Sequence, residues 1–456
     1  MVFSSLTFLF IFLPLVLLFY FLLPGIRAKN AVLCLFSLVF YAWGEPVYVL
    51  LMIASILLNY LVGLGMARFP GRKKGLLVLA LIFNLGAIGY FKYAGFFLSS
   101  LNSLFSLHLP ALQIALPIGI SFYTFQILSY VVDVYHGRTA AQKNLLSLAT
   151  YITMFPQLVA GPIVRYETVR EELSARHVSL NDFTEGLSRF FFGLGKKVLI
   201  ANQMALVADA VFDAAALPPA GALWIGALCY AMQIYYDFSG YSDMAIGMGR
   251  MFGFHFTENF NYPYIADSVT DFWRRWHISL SAWFREYVYI PLGGNRCGTA
   301  RHIFNMLVVW LLTGLWHGAD WTFLLWGLWY FVWLAVEKFL LKSRQIRPVF
   351  LGRLLTLLCA ALGWALFVSD GLSDFFRYFQ DLFCFSFAPK ALFWVREYAL
   401  LLTLSIFFCV PKAVDGIKGL ARKHPVFRLA AACVLILLSI ASLAKSTFNP
   451  FLYFRF

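Results

Sequence analysis

Apolar residues in this chain come in continuous runs and not in alternation. Continuous runs predict helices; a transmembrane barrel would alternate apolar and polar positions over strands of about ten residues. Residues 1–24, MVFSSLTFLFIFLPLVLLFYFLLP, have no basic residue ahead of the run and no small-residue cleavage site behind it, so they read as an uncleaved first span and not a signal peptide. Further runs cover residues 31–43, 47–66, 76–93, 94–107, 116–137, 151–165, 190–208, 220–248, 303–316, 321–336, 350–368, 398–410 and 429–444. The pattern predicts an all-α polytopic membrane protein with no second soluble domain and no internal repeat.

Polar residues interrupt some of these runs. Gln126, Asp133 and His136 fall in 116–137, and Lys196 and Lys197 in 190–208. Pro156, Gly161 and Pro162 fall in 151–165 and predict a broken helix, tolerated at membrane depth only where protein or enclosed water satisfies the freed backbone. The run 220–248 holds Gln233, Asp237, Ser239 and Asp243 in its middle, which predicts the lining of a cavity and not a lipid-facing surface.

The stretch 312–328, LTGLWHGADWTFLLWGL, places His317 and Asp320 between the apolar runs 303–316 and 321–336. Runs of 14 and 16 residues reach roughly 21 and 24 Å as helices, short of a hydrocarbon core of about 30 Å. His317 is therefore expected within the membrane. An ionisable group at that depth marks a functional site, or else is a helix-end histidine bonded at an interface; position alone does not separate the two. Asp320 either orients the imidazole from one helical turn away or caps a helix that starts at Trp321.

Residues 271–296, DFWRRWHISLSAWFREYVYIPLGGNR, form a second polar-rich stretch. Trp273, Trp276, Leu280, Trp283 and Tyr287 recur at helical spacing, which predicts one amphipathic stripe with His277 at its edge and Arg274, Arg275, Arg285 and Glu286 off it. Such a helix lies at the cytoplasmic interface or dips into the protein. Its arginines either snorkel to the interface or bind an anionic group. No nucleophile elbow, P-loop or HExxH accompanies these residues, so a hydrolase or ATPase reading has no support.

Composition sharpens this picture. Of 456 residues, 61% are hydrophobic, 19% aromatic and only 13% charged. A soluble domain carries about twice that charge. The net charge of +14 is assigned to basic cytoplasmic loops and not to nucleic-acid binding. With the loops around Arg27, Arg72 and Lys418 inside, both termini are expected outside. The seven cysteines show no metal spacing, so neither a zinc site nor a disulfide framework is expected.

The segments LPIGISFYTFQ (116–126), FPQLVAGPIVR (155–165), QIYYDFSGYSDMAIG (233–247), 271–296 and LLTGLWHGADWTFLLWG (311–327) together resemble the membrane-bound O-acyltransferase family. The likeness is to its bacterial alginate O-acetyltransferase branch, with D-alanyl transferases more distant. The segments run in family order across most of the chain. The resemblance implies a ring of about 11 or more transmembrane helices, with short, broken and interfacial helices, around a central funnel. It implies a bacterial inner-membrane enzyme with no permanently bound cofactor or metal. An acyl thioester, acetyl-CoA in this branch, serves as cytoplasmic donor for O-acetylation of an extracytoplasmic polysaccharide. His317 would be the catalytic base, and His277 a second catalytic or acceptor-positioning group. Arg274, Arg275, Arg285, Trp276, Trp316, Asp237 and Asp243 are the candidate substrate-binding residues.

The tail 445–456 ends in FNPFLYFRF. It resembles aromatic terminal motifs of this family in which a tyrosine carries the acyl group. By that likeness Tyr453 would hand the acyl group to an extracytoplasmic serine transferase of SGNH type; otherwise the tail is an aromatic belt at the outer interface. A competing class is a transporter of envelope polymer or acyl donor, with His317 and Asp237 or Asp243 as a proton relay, against which stands the missing inverted repeat.

Overall fold

The structure is a computed structural model that describes residues 1–110, 112, 114–214, 218–341, 348–384 and 389–445. All regular elements among the described residues are helical. The chain forms two compact units, residues 1–190 with 242–257, and residues 191–241 with 258–456.

In the first unit, Phe3, Phe8, Phe12, Phe40 and Phe155 pack in one cluster of tilted and edge-to-face rings. Arg176 ties this unit together. Its guanidinium donates to the Tyr20 hydroxyl at 2.9 Å, the Phe252 carbonyl at 3.0 Å and Asn30 Oδ1 at 2.7 Å, and lies over the Phe254 ring. Asn59 and Asn84 donate to each other's amide oxygens at 3.2 and 2.9 Å, joining the helices Tyr48–Arg68 and Lys73–Ile88 by a polar pair that apolar surroundings strengthen. The break foreseen at 151–165 is present. The helix Leu145–Thr153 stops, Phe155–Leu158 makes one turn, and irregular buried backbone follows. Protein groups satisfy part of it: Gln157 Nε2 donates to the Tyr151 carbonyl and the Tyr151 hydroxyl to the Val164 carbonyl.

The second unit holds the large aromatic core, with Trp273, Trp276, Trp326, Tyr330, Trp364 and Phe367 all buried. The expected single stripe over 273–287 is instead two short helices, Val269–Arg275 and Ile278–Phe284, followed by a π-helical turn Arg285–Tyr289. The chain breaks at His277, whose φ of 44° is left-handed. The stripe's burial survives the break: Trp273, Trp276, Leu280 and Trp283 are all buried. The runs beside His317 also extend further than their apolar residues. Helix Thr299–His317 begins in polar residues, and Trp321–Leu340 ends in Glu337 and Lys338, so each is 19 to 20 residues or about 29 Å long.

Five helices among the described residues are long and apolar enough to cross a membrane: Tyr48–Arg68, Pro70–Phe105, Leu180–Phe212, Trp321–Leu340 and Val349–Val368. A sixth arises if Pro389–Glu397 and Ala399–Phe408, bent by 67°, form one span. That criterion gives fewer spans than the 11 or more the resemblance implies. Helices such as Ala220–Met251, which carries Gln233, Asp237, Asp243 and Arg250, stand outside the set.

A buried ion pair anchors the second unit. Lys197, in the π-helical turn Lys196–Ala201, holds Asp237 at 2.7 Å, and the two side chains are 1% and 2% exposed. A side chain at nearby Gly240 would overlap the Gly193 carbonyl, so the two helical segments meet backbone to backbone there. Lys197→Met removes the cation held at 2.7 Å from a buried carboxylate and is expected to destabilise the protein by about 3–5 kcal/mol, whereas the double change Lys197→Met/Asp237→Leu regains most of that. Thermal unfolding of the detergent-solubilised variants checks this; equal losses in single and double variants would contradict it.

Candidate active site

His317 ends its helix because Gly318 continues in extended backbone, with φ of −160°. Two residues on, Asp320 Oδ1 accepts from the Thr322 amide at 2.8 Å and caps the helix Trp321–Ala335. Asp320 is thus a helix cap. The two helices beside it are pressed together at Gly314 and Gly327, where added side chains would overlap the carbonyls of Phe323 and Trp310. This contact fixes the His317 ring against Trp326 at a centroid distance of 5.0 Å. Trp316 at 4.9 Å and Phe367 at 5.2 Å complete the aromatic surroundings.

His277 is 1% exposed and sits outside the spanning helices, between Val269–Arg275 and Ile278–Phe284. Burial pushes its pKa down to about 3, so the ring is neutral. Its tautomer follows from its neighbours. Asn259 Oδ1 accepts from the Ser279 amide at 3.3 Å and the Ser279 hydroxyl at 2.8 Å. An oxygen is therefore the atom facing His277 Nδ1 at 3.1 Å, and Nδ1 must be the donor. The lone pair is left on Nε2. A left-handed residue without glycine's freedom, held by such bonds, is the kind of strain that clusters at functional sites. Phe238, next to the ion-paired Asp237, packs on this ring at 4.6 Å.

The two imidazoles lie 6.5 Å apart, with Trp316 against both. A cavity of about 180 Å³ lies nearby, lined by Tyr230, Asp320, Thr322, Phe323, Phe367 and Asp370 and not by either histidine. Phe367 is the wall it shares with the His317 surroundings. The site therefore offers imidazole nitrogens in a nearly dry aromatic setting, next to a cavity with carboxylates at its edge.

The structure brings together His277, His317 and Trp316, with Trp276 behind them on Trp364 at 4.7 Å. Arg275 is engaged by Asp271 at 2.8 Å. Arg274 and Arg285 are exposed. Asp237 and Asp243 part company: Asp237 pairs with Lys197, while Asp243 belongs to the first unit and holds Arg189 at 2.8 Å. Both aspartates of the proton-relay alternative are thus ion-paired. Tyr453 and the rest of the tail beyond residue 445 lie outside the described residues. The sequence reading missed Asn259, Phe238, Trp326 and Phe367, which meet the histidines only through packing between separate elements. It also missed Glu337, whose carboxylate accepts from the Val269 and Thr270 amides at 2.7 and 2.8 Å and so caps the helix that leads to His277.

Comparison with known proteins agrees with this geometry. The model of MBOAT, the membrane-bound O-acyltransferase family, matches residues 139–366, which include both histidines. The chain is 41% identical to the probable alginate O-acetylase AlgI of Azotobacter vinelandii over the whole of both chains. It is 45% identical to that of Pseudomonas aeruginosa, over 84% of this chain and 75% of the relative. It is also 37% identical to the peptidoglycan O-acetyltransferase of Helicobacter pylori, over 82% of this chain and 78% of the relative. A family match across half the chain, relatives this similar along its length, and two buried histidines within the matched region have one reading: the chain belongs to the membrane-bound O-acyltransferase family and is an O-acyltransferase.

Proposed function

We propose that the protein is a transmembrane O-acetyltransferase. It takes an acetyl group from acetyl-CoA at the cytoplasmic face of the inner membrane and delivers it outside, for a polysaccharide such as alginate or for peptidoglycan. The observation that carries this reading is the pair of buried imidazoles 6.5 Å apart in an aromatic setting. The names of the relatives, alginate O-acetylase and peptidoglycan O-acetyltransferase, support the acyl group and the class of acceptor.

In the reaction, His317 takes the proton of the attacking hydroxyl as its oxygen bonds to the thioester carbonyl carbon. The tetrahedral intermediate collapses, the carbon–sulfur bond breaks, and the thiolate takes that proton from the imidazolium. A neutral His277, its Nδ1–H held by Asn259, bounds the place where the hydroxyl meets His317 and so positions it without competing for its proton. Arg274 and Arg285, exposed beside this segment, suit the phosphates of the donor. Tyr453 acts as the first acceptor, with both termini outside, and an SGNH-type serine partner takes the acyl group onward.

Thiol release from acetyl-CoA by the purified full-length protein tests the central claim. His317→Ala is expected to lower turnover by at least about 100-fold, the contribution of a general base; unchanged release would end the proposal. Asn259→Leu removes the acceptor that sets the His277 tautomer and is expected to lower kcat about 10- to 100-fold with little change in KM, as loss of an orienting partner does. A variant with KM raised and kcat intact would remove His277 from the acceptor-positioning role. Tyr453→Phe keeps the aromatic tail but removes its hydroxyl. Acyl labelling of the protein should vanish in this variant, and full transfer to the polymer would rule the carrier out.

A further inference from the structure

Two indole groups packed on one another, one of them against His317, have no acceptor for their N–H among the described residues. Trp326 is fully buried and packs on His317 at 5.0 Å. Trp273 is buried against Trp326 at 5.6 Å. Neither Nε1–H finds an acceptor among the described residues. An indole N–H can only donate, and a buried donor with no acceptor forfeits its hydration for nothing in return. Phenylalanine would keep an aromatic ring there without that penalty, at the cost of some packing.

The fold does supply acceptors to other indoles of the same unit. Trp329 Nε1 donates to the Cys359 carbonyl at 3.1 Å, and Trp224 Nε1 to the Leu382 carbonyl at 3.1 Å. Acceptors are thus present for some indoles of this unit and, among the described residues, missing for others in the aromatic cluster around Trp326, Trp364 included. The two orphan donors mark a place where carbonyl oxygens arrive with a ligand.

We propose that Trp326 Nε1–H holds the thioester carbonyl oxygen of the acyl donor at His317, and that Trp273 Nε1–H holds the next carbonyl along the donor's arm. This assignment rests on the thioester chemistry proposed above. In a donor of the form acyl–S–CH2–CH2–NH–C=O, five bonds separate the two carbonyl carbons, an extended reach of roughly 6 Å. The ring separation of the two tryptophans, 5.6 Å, is of the same order. The consequence falls on the reaction itself. When the acceptor hydroxyl attacks, the carbonyl π electrons move onto the oxygen that Trp326 holds, and the hydroxyl proton goes to His317. On collapse the carbonyl re-forms, the carbon–sulfur bond breaks, and the thiolate takes the proton. Trp326 thus meets the oxygen where negative charge develops, in a setting without water to compete.

The ligand chemistry distinguishes this role from packing. The probes are two unreactive analogues of acetyl-CoA: the ketone with CH2 in place of sulfur, which keeps the carbonyl, and S-ethyl-CoA, which lacks it. The wild-type protein is expected to bind the ketone at least 10-fold more tightly. Trp326→Phe is expected to bind both alike, to release thiol from acetyl-CoA about 100-fold more slowly, and to unfold, without ligand, at the same temperature as wild type or higher. Trp273→Phe is expected to weaken both analogues equally, since both keep the amide carbonyl. The proposal is overturned if Trp326→Phe retains the ketone preference, whether its turnover is intact or its fold is weakened. If wild type shows no His317-dependent thiol release, the proposed function fails on that measurement, and the analogue comparison still decides what Trp326 binds.

Discussion

Burial keeps the second proton off the His277 imidazole, so that ring rests neutral. That constraint organises the second unit. Around His277 and His317 the protein places tryptophan and phenylalanine rings, and few groups able to solvate a charge. A neutral ring must then be told which nitrogen carries its proton. Asn259, already committed as an acceptor to Ser279, does so for His277. The left-handed turn at His277 is the backbone's share of the same requirement, since an unbroken helix would carry the ring past Asn259.

Charge is admitted to this interior only in neutralised form. Lys197 and Asp237 bury one another completely, and their position places Phe238 on His277. Such a pair contributes little net stability against a well-packed apolar alternative, but its loss on one side is severe. Its place in the chain, one residue from a ring that touches the site, ties the geometry of the site to the integrity of the pair. Glu337 does something comparable at the far end of the Trp321–Leu340 span. Its carboxylate leaves the span to satisfy the first amides of the helix that carries Arg274 and Arg275.

Much of this was legible in the order of residues, and the reasons differ by feature. Helices declared themselves through unbroken apolar runs, and the break at 151–165 through Pro156, Gly161 and Pro162, because those residues act locally. The two histidines were legible because a polar group in an apolar run is costly wherever it lies. The helix break at Trp276–His277 was not, because the spacing of Trp273, Trp276, Leu280 and Trp283 follows burial and stays the same when the helix is cut in two. The lengths of the runs beside His317 misled for a related reason: Arg301, Glu337 and Lys338 are helical although they are not apolar. Asn259, Phe238, Trp326 and Phe367 reach the histidines only through tertiary packing. Asp237 and Asp243, six positions apart on one helix, looked like a single site, yet each found a different basic partner.

The contact of Gly314 with Gly327 reaches beyond packing. Two helices that touch through bare backbone have no side chains between them to compress or slide on. The gap between His317 and Trp326 is therefore set like the jaws of a locked caliper. Movement in this part of the second unit is then left to elements other than these two helices. A substitution on the cavity wall at Tyr230 or Asp370 changes the cavity and leaves that backbone contact as it is.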